Sequence, residues 1–368
     1  MKIPLVDLRT QYHSIKDEIL EAVSSVMEES AFIGGSHIRK FESDFAEFCG
    51  AKYCIGVGNG TDAIFIALKS LGIGPGDEVI TAANSFIATS EIIKLVGARV
   101  VFCDVSEVTR NIDPDLISDK ITEKTRAIIP VHLYGQPADM DGIVKIADEN
   151  GLHIVEDCAQ AHGARYKGKR VGTFGKIGCF SFYPGKNLGA YGDGGAIVTD
   201  GEDMAKKMRM YANHGRSEKY NHEFEGVNSR LDGMQAAVLN VKLKYLEEWN
   251  LKRNKNARIY NDKLEGVGDI KIPAIAGDRD HVFHLYVIRS KKRDRLKGFL
   301  ADNGIFCGIH YPIALPNLKA YKYLNHKPED FPVSSGLQDE ILSLPMFPEL
   351  TAEQIDYVVS KIKEFFSQ

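Results

Sequence analysis

The feature that most constrains the fold is an alternation of short apolar runs and amphipathic stretches between about residue 50 and residue 200. Such alternation is typical of βαβ units around a mostly parallel sheet. The pattern predicts an α/β fold with helices over 61–71, 86–95 and 140–150. The predicted strands are 53–57, 78–81, 99–103, 127–131, 153–156, 177–182 and 195–199.

The pattern changes beyond residue 200. The polar segment 216–230 shows no periodicity and predicts a long surface loop, a kind of loop that is often functional. Apolar residues at steps of three or four then predict one long helix over 232–261 that joins two domains. From about residue 263 the sequence predicts an α+β domain, with strands at 284–288 and near 305–309 and helices over 293–303 and 352–366. We expect a large domain over 1–245 and a small one over 246–368.

Charge and motif content exclude several classes of protein. The 46 Lys plus Arg stand against 50 Asp plus Glu, so no bulk basic field exists to hold nucleic acid or an anionic membrane. A charged N-terminus and the lack of a long apolar run favour a soluble cytoplasmic protein without a signal peptide. Six cysteines without a CxxC pair and eleven histidines without HExxH predict free thiols and no metal site.

The glycine-rich segment GVGNGTDA at 56–63 follows a predicted strand and opens a predicted helix. Its spacing fails the dinucleotide-binding pattern, because Thr61 stands where the third glycine would be. The free N–H groups at Gly60 and Thr61 could hold an anion at the helix start. A tight turn that needs glycine for backbone reasons is the alternative.

Two further segments place reactive side chains near strand ends. Glu156 and Asp157 end an apolar strand, where ligands bind in open α/β sheets, although Asp157 could instead cap a helix. Lys186 follows an aromatic strand and a Pro-Gly turn. A lysine in a closed apolar pocket acts as an amine nucleophile towards carbonyls, whereas a lysine after a turn is otherwise a solvated surface charge.

These segments occur together in the order of a known family. The sequence resembles the DegT/DnrJ/StrS sugar aminotransferases, most closely those that act on C-3 keto-sugars. The resemblance implies the aspartate aminotransferase-like (type I) fold, with a large, mixed, mostly parallel seven-stranded sheet domain and a smaller α+β C-terminal domain. It implies pyridoxal 5′-phosphate (PLP), which alternates with pyridoxamine 5′-phosphate, and a homodimer with shared active sites. The motifs that carry it are NGTDA at 59–63, VHLYGQPADMD at 131–141, VEDCAQAHGA at 155–164, SFYPGKNLGAYGDGG at 181–195, GVNSRLDGMQAA at 226–237, HYP at 310–312 and SLPMFPEL at 343–350.

The resemblance also implies roles for single residues. Lys186 stands where the family lysine forms a Schiff base with PLP, and Asp157 where an acid pairs with the pyridine nitrogen. The other implied cofactor contacts are Gln160 near the ring 3-oxygen, Phe86 on the ring face, Ser181, Gly60 and Thr61 at the phosphate, and Asn228 from the partner subunit. Positions near the sugar are Tyr183, Tyr220, His222, His310 and Tyr311, and those near the nucleotide pyrophosphate are Arg216, Lys219 and Arg230.

The resemblance predicts transfer of an amino group from glutamate to a nucleotide-linked keto-sugar. Gln160, where many C-4 enzymes have His, favours a 3-keto hexose of the dTDP-3-keto-6-deoxyhexose or UDP-3-keto-N-acetylglucosamine type, for surface polysaccharide, lipid A or secondary metabolite synthesis. A C-4 aminotransferase is the alternative. A sugar dehydratase is disfavoured because its lysine position is typically His. A nicotinamide dehydrogenase is disfavoured by the glycine spacing, and a non-catalytic regulatory or binding protein by the combination of Lys186, Asp157 and Gln160.

Overall fold

The computed structural model describes all 368 residues. Twelve α-helices and fourteen strands follow one another along the chain. The helices are α1 (Leu8–Ser14), α2 (Lys16–Glu28), α3 (Ser36–Cys49), α4 (Gly60–Ser70), α5 (Ala88–Leu95), α6 (Met140–Asn150), α7 (Glu202–Tyr211), α8 (Gly233–Leu243), α9 (Leu246–Leu264), α10 (Arg293–Asp302), α11 (Pro332–Glu340) and α12 (Ala352–Ser367). The strands are β1 (Tyr53–Val57), β2 (Glu78–Ala82), β3 (Arg99–Cys103), β4 (Thr125–Ile129), β5 (His153–Asp157), β6 (Arg165–Tyr166), β7 (Lys169–Arg170), β8 (Ile177–Ser181), β9 (Gly195–Thr199), β10 (Arg216–Glu218), β11 (Asn221–His222), β12 (Arg279–Asp280), β13 (Tyr286–Arg289) and β14 (Ile341–Leu344).

Seven strands form one large sheet in the order β1-β9-β8-β5-β4-β2-β3. The pairs from β8 to β3 are parallel, and β9 pairs antiparallel with both β1 and β8. The sheet is therefore mixed but mostly parallel, and all seven strands predicted from the apolar runs are confirmed. The three helices predicted between them are confirmed as α4, α5 and α6.

The large sheet is buried on both faces. In β2, Val79 packs into an apolar cluster with Ile64 of α4 and Ile92 of α5. Its neighbour Ile80 points to the other face and joins a second cluster with Met140 of α6. Successive side chains of a strand face opposite sides, so helices on both faces explain why the strands are apolar runs rather than alternating patterns.

The C-terminal part forms a smaller α+β unit. Strands β13 and β14 pair antiparallel, and α9, α10 and α12 pack around them in one apolar cluster that contains Tyr260 and Tyr286. Ile3 also belongs to this cluster, so the start of the chain lies against its end. The division between residues 245 and 246 stays a prediction.

Two of the predicted elements are wrong. The single helix over 232–261 is two helices, because the backbone leaves α-helical hydrogen bonding at Lys244 and Tyr245, whose N–H groups bond three residues back. Apolar periodicity continues across the break, since both helices face the interior. The segment near 305–309 is not a strand: Ile305 makes one bridge to Ile3 and Gly308 one to Ser343.

Other elements were not predicted, among them α1, α2, α3, α11 and β14. The segment 216–230 is mostly exposed, as predicted for a surface loop, but it includes the short hairpin β10–β11. The six cysteines are free thiols, as predicted. None of the helices is both long and apolar enough to cross a membrane.

Candidate active site

The carboxyl ends of β5 and β8 bring two functional segments together at one edge of the large sheet. Strand β5 ends at Asp157 and β8 ends at Ser181. The chain then runs from Ser181 into the segment 182–194, here called the lysine loop, which carries Lys186. Both segments therefore lie at the sheet edge where ligands of open α/β sheets bind, as expected from the sequence, and ligand binding there stays a prediction.

Asp157 is a buried carboxylate held from two sides. Its Oδ2 accepts a hydrogen bond from Thr89 Oγ1 at 2.7 Å, and its Oδ1 accepts one from the backbone N–H of Ala159 at 3.1 Å. The residues that follow form turns rather than a helix, so the alternative in which Asp157 caps a helix is wrong. These two hydrogen bonds fix the position and orientation of the carboxylate at the end of β5.

Lys186 is partly buried. This burial lowers the pKa of Lys186 from its ordinary 10.5 to about 8, and the negative charge of Asp157 acts in the opposite direction. A buried amine of this kind is in part uncharged near neutral pH and can act as a nucleophile or a base. The alternative of a solvated surface charge is therefore wrong for Lys186.

The lysine loop is compact. Ala190 N–H donates to the Phe182 carbonyl at 2.8 Å, and Lys186 N–H donates to the Tyr183 carbonyl at 2.8 Å. A Cβ on Gly189 would lie 2.2 Å from the Pro184 carbonyl oxygen, so only glycine fits there. The hydrogen bond between Ala190 and Phe182 thus joins the two sides of the loop that carries Lys186.

The N-terminus of α4 meets the end of β8. Asn59 caps this helix by accepting the N–H of Asp62 at 2.8 Å, which leaves the N–H groups of Gly60 and Thr61 free. A Cβ on Gly60 would lie 2.5 Å from the Cβ of Ser181. Glycine is therefore needed for the close approach, and the free N–H groups and the helix dipole are suited to an anion beside Ser181. None of Gly56, Gly58 and Gly60 has a positive φ, so the alternative of a turn that needs glycine for backbone reasons is not supported, and the anion site stays a prediction.

Gln160 links three segments of the site. Its Oε1 accepts the backbone N–H of Tyr134 at 2.7 Å, and its Nε2 donates to the hydroxyl of Tyr311 at 3.0 Å. Phe86 is half exposed, and its ring centroid lies 5.7 Å from that of Tyr311. An amide with both ends engaged holds Tyr311 at the border of the site.

His310 lies beside these groups. Its Nδ1 is hydrogen-bonded to the hydroxyl of buried Ser343 at 2.8 Å, and the Tyr134 hydroxyl donates to its backbone carbonyl. Burial and the nearby charge of Lys186 lower the pKa of His310 to about 4. His310 is therefore uncharged at neutral pH.

The remaining predicted residues lie on exposed segments. Arg216, Lys219, Tyr220 and His222 belong to the β10–β11 hairpin and its turn, and Tyr183 is 61% exposed. Within one chain, no hydrogen bond or ring contact joins the hairpin to Lys186 or Asp157. A cleft of about 410 Å³ beside the hairpin is lined by Arg209, Asn213, Arg216, Ser217, Glu218 and Lys219.

The end of the same loop returns to the glycine turn. Ser229 Oγ accepts the N–H of Gly58 at 3.0 Å and donates to Asp62 at 2.7 Å. Its neighbour Asn228 is exposed, and Arg230 donates to the Asn213 side chain at 3.2 Å. The exposed position of Asn228 suits a residue that faces another subunit.

A buried cluster elsewhere has the composition of a metal site. The ligand atoms of His132, Glu156 and Cys158 lie within 4.8 Å of one another. Glu156 accepts hydrogen bonds from three backbone N–H groups of the 172–175 turn and is paired with His132 Nε2 at 3.0 Å. Because His132 Nδ1 accepts the N–H of Ala138, its lone pair is already used. These bonds serve the framework behind the site rather than a metal ion.

Sequence reasoning missed three residues that complete the site: Thr89, Tyr134 and Ser343. Thr89 lies one helical turn after Phe86, so helical spacing could have pointed to it. Tyr134 has a positive φ of 60°, a backbone conformation that gives no sequence signal in a tyrosine. Ser343 reaches His310 from a strand that was not predicted.

The site fits PLP on three structural grounds. The helix start at Gly60 and Thr61 offers free N–H groups to a phosphate beside Ser181. The carboxylate of Asp157 is buried and oriented, which suits an acid that keeps a ring nitrogen protonated. The partly buried amine of Lys186, whose pKa is lowered to about 8, can attack an aldehyde.

Comparison with known proteins gives matches along the whole chain. The model of the DegT/DnrJ/EryC1/StrS aminotransferase family matches residues 13–363. A pleiotropic regulatory protein of Geobacillus stearothermophilus is 49% identical over 100% of this chain and 99% of its own length. A dTDP-3-amino-3,4,6-trideoxy-alpha-D-glucose transaminase of Streptomyces venezuelae is 42% identical over 99% and 96%. A UDP-N-acetyl-3-dehydro-alpha-D-glucosamine 3-aminotransferase of Acidithiobacillus ferrooxidans is 43% identical over 98% and 97%.

Solved structures share the fold. DesV of S. venezuelae, solved in complex with a ketimine intermediate, matches with a TM-score of 0.98 and 42% identity over 100% of this chain and 99% of that one. The ntda protein of Bacillus subtilis, solved with bound cofactor PMP, matches with a TM-score of 0.91 and 33% identity over 100% and 86%.

Proposed function

Because the chain belongs to the DegT/DnrJ/EryC1/StrS aminotransferase family, we propose that it transfers the amino group of glutamate to C-3 of a nucleotide-linked keto-hexose. The protein is a PLP-dependent aminotransferase. The observation that carries the proposal is the pairing of a desolvated amine, Lys186, with a buried and oriented carboxylate, Asp157, beside an anion-binding helix start.

PLP, when bound, accepts the electrons that remain when a proton leaves the carbon bearing the amino group. In this proposal Gly60, Thr61 and Ser181 hold its phosphate, and Phe86 covers one face of its ring. The carboxylate of Asp157 keeps a proton on the ring nitrogen, and Gln160 lies near the 3-oxygen.

Lys186 has two tasks. Its amine holds the cofactor before the donor arrives, and it then moves a proton to and from the reacting carbon of donor and sugar. A pKa of about 8 suits both tasks, because charged and uncharged amine are then both populated near neutral pH. Asp157 is held by Thr89 and Ala159, and in this proposal its task is to pair with the ring nitrogen while Lys186 moves the proton.

The sugar specificity rests on the relatives and on the site border. Two relatives above 40% identity carry names with an amino or keto group at C-3, one on a dTDP-sugar and one on a UDP-sugar. We propose that His310, Tyr311 and Tyr183 contact the hexose. Arg216 and Lys219 line the cleft of about 410 Å³ and are suited to a pyrophosphate, as is Arg230, while Tyr220 and His222 border the sugar.

The site is proposed to be completed in a homodimer. Asn228 is exposed and lies beside Ser229, which contacts the glycine turn, so the loop that carries it is anchored at one cofactor site and faces outward. In the dimer, Asn228 of one subunit would reach the phosphate in the other. The proposal includes a cytoplasmic location, a prediction that rests on the sequence alone.

A second candidate function comes from the relative that is called a pleiotropic regulatory protein. A regulator on this fold would bind a nucleotide sugar without turnover. The desolvated amine of Lys186 disfavours this function, because a binding protein has no chemical need for it.

The proposed function is tested by product analysis. The purified protein is incubated with PLP, glutamate and, in turn, dTDP-3-keto-6-deoxyglucose, UDP-3-keto-N-acetylglucosamine and a UDP-4-keto-6-deoxy sugar. We expect 2-oxoglutarate and a product whose amino group lies on C-3, and none of either with Lys186→Ala. An amino group on C-4 would support the C-4 alternative. PLP-free protein that binds a nucleotide sugar unchanged would support the regulator.

A further inference from the structure

Lys242 is a buried lysine for which the proposed reaction has no use. It lies near the end of α8, and its side chain is almost completely enclosed, with 1% of the residue exposed. Its Nζ donates to the backbone carbonyl of Gly189 at 2.5 Å. The same Nζ lies 4.9 Å from the ring centroid of Tyr191 and 6.0 Å from that of Trp249.

No carboxylate forms an ion pair with Lys242. Burial lowers the pKa of Lys242 to about 8, and the charge of Glu349 compensates only in part. An enclosed ammonium without a carboxylate partner is costly, and an apolar side chain of similar volume is often as stable or more so. A lysine at this position therefore depends on the partners that hold its ammonium. These are the Gly189 carbonyl, through the one charge-assisted hydrogen bond, and the rings of Tyr191 and Trp249.

That hydrogen bond ends on the lysine loop. Gly189 follows Lys186 by three residues and packs against the Pro184 carbonyl in the closed part of the loop. A displacement of Gly189 is thus transmitted to Pro184 and to Lys186 between them. The hydrogen bond from Lys242 of α8 to Gly189, here called the tether, therefore acts on the lysine loop, and the position of that loop determines where the Lys186 amine lies.

The same helix grips the loop at a second point. Gln235 lies two helical turns before Lys242, on the same face of α8. Its Oε1 accepts the N–H of Tyr191 at 2.8 Å, and its Nε2 lies 3.5 Å from the Tyr191 carbonyl. Two side chains of one rigid helix thus hold two peptide groups of the loop.

We propose that Lys242 is a positioning residue for Lys186: its enclosed ammonium holds the Gly189 carbonyl and so fixes the loop from which Lys186 reaches the cofactor. The role rests on the proposed function of Lys186. It acts through the backbone of the loop and involves no contact with substrate.

The test compares Lys242→Met with Lys244→Met. Methionine keeps the volume and removes the hydrogen bond and the charge. Lys244 lies two residues further, is exposed and pairs with Glu18 at the surface, so it is the matched control. Amide hydrogen exchange is measured on the cofactor-free proteins, and PLP affinity and steady-state kinetics on the loaded ones.

We expect the amides of residues 186–190 to exchange about tenfold faster in Lys242→Met, the effect of losing one hydrogen bond to a charged group. The Kd for PLP should rise about tenfold, and kcat should fall with little change in KM for the sugar, whereas Lys244→Met should match the wild type. If Lys242→Met does not fold, Lys242→Gln, which removes the charge and shortens the side chain by one atom, is measured in the same way.

Two results would overturn the proposal. One is unchanged exchange in the lysine loop together with unchanged PLP affinity. The other is faster exchange spread evenly over the chain, which would mean that Lys242 supports the fold in general. A wild type that fails to bind PLP would refute the proposed function. The tether would still be tested, because hydrogen exchange is measured on the cofactor-free proteins.

Discussion

Replacing Lys186 by methionine should stabilise the cofactor-free protein. Burial of the partly exposed side chain lowers the pKa of Lys186 from 10.5 to about 8, so the folded state holds its proton less tightly than the unfolded chain does. This difference corresponds to about 3 kcal/mol of lost stability at neutral pH. Methionine fills a similar volume and carries no such cost.

The pH dependence gives the effect its signature. Well below pH 8 the lysine is protonated in both states, and the destabilisation is fully present. As the pH rises from 8 to 10.5, the folded state releases its proton first and the destabilisation disappears. The advantage of Lys186→Met should therefore shrink by about 2 kcal/mol between pH 7 and pH 10.

The assay is urea unfolding of both cofactor-free proteins at pH 7 and pH 10, at one fixed protein concentration. Other titrating groups, including Lys242, are common to both proteins and cancel in the difference. A difference in unfolding free energy that is the same at both pH values would refute the reasoning, because it would mean that the Lys186 amine is as solvated in the folded protein as in the unfolded chain.

Three further predictions concern the groups around Lys186. Asp157→Asn keeps the partners Thr89 and Ala159 but should lower kcat in steady-state assays by about 100-fold or more, because an amide does not hold a proton on the ring nitrogen. The surface variant Asp141→Asn is the control, and equal kcat values for the two variants would contradict the role of Asp157. Gly60→Ala brings a Cβ within 2.5 Å of Ser181 and should raise the Kd for PLP in spectroscopic titration about tenfold or more, whereas Gly74→Ala, with its nearest neighbour at 3.6 Å, should leave the Kd unchanged. Gln160→Ala leaves the Tyr134 N–H and the Tyr311 hydroxyl without their hydrogen-bond partner and should lower the free energy of unfolding in urea by about 2 kcal/mol. A loss below about 0.5 kcal/mol would show that water replaces both bonds.

The large sheet could be predicted because its strands are enclosed on both faces. Enclosure makes each strand an apolar run, such as Ile177–Ser181, and such a run is visible without any partner. The break between α8 and α9 could not be predicted in the same way. Periodicity shows only which face of a segment is apolar, and the apolar faces of both helices point to the interior. The break at Lys244 and Tyr245 therefore does not interrupt the apolar pattern.

Lys186 and Asp157 could be singled out because one lies just after the end of a strand and the other at the end of a strand, in motifs that occur in the same order in the family. Their catalytic roles stay predictions. Thr89 and Tyr134 escaped because their roles arise from contacts across the fold: Thr89 touches an aspartate 68 positions away, and Tyr134 donates to Gln160 26 positions away. Such pairings are decided by the packing of distant segments and by backbone conformations, and no local pattern reports them.

The central claim is that Lys186 holds PLP in an aminotransferase. It is tested most directly by the absorbance spectrum of the purified protein with PLP, before and after glutamate, in wild type and Lys186→Ala. We expect the wild type to develop the visible band of PLP bound to a lysine amine and to lose it when glutamate donates its amino group, while Lys186→Ala never develops that band. A wild type without the band, or a band that persists in Lys186→Ala, would contradict the claim.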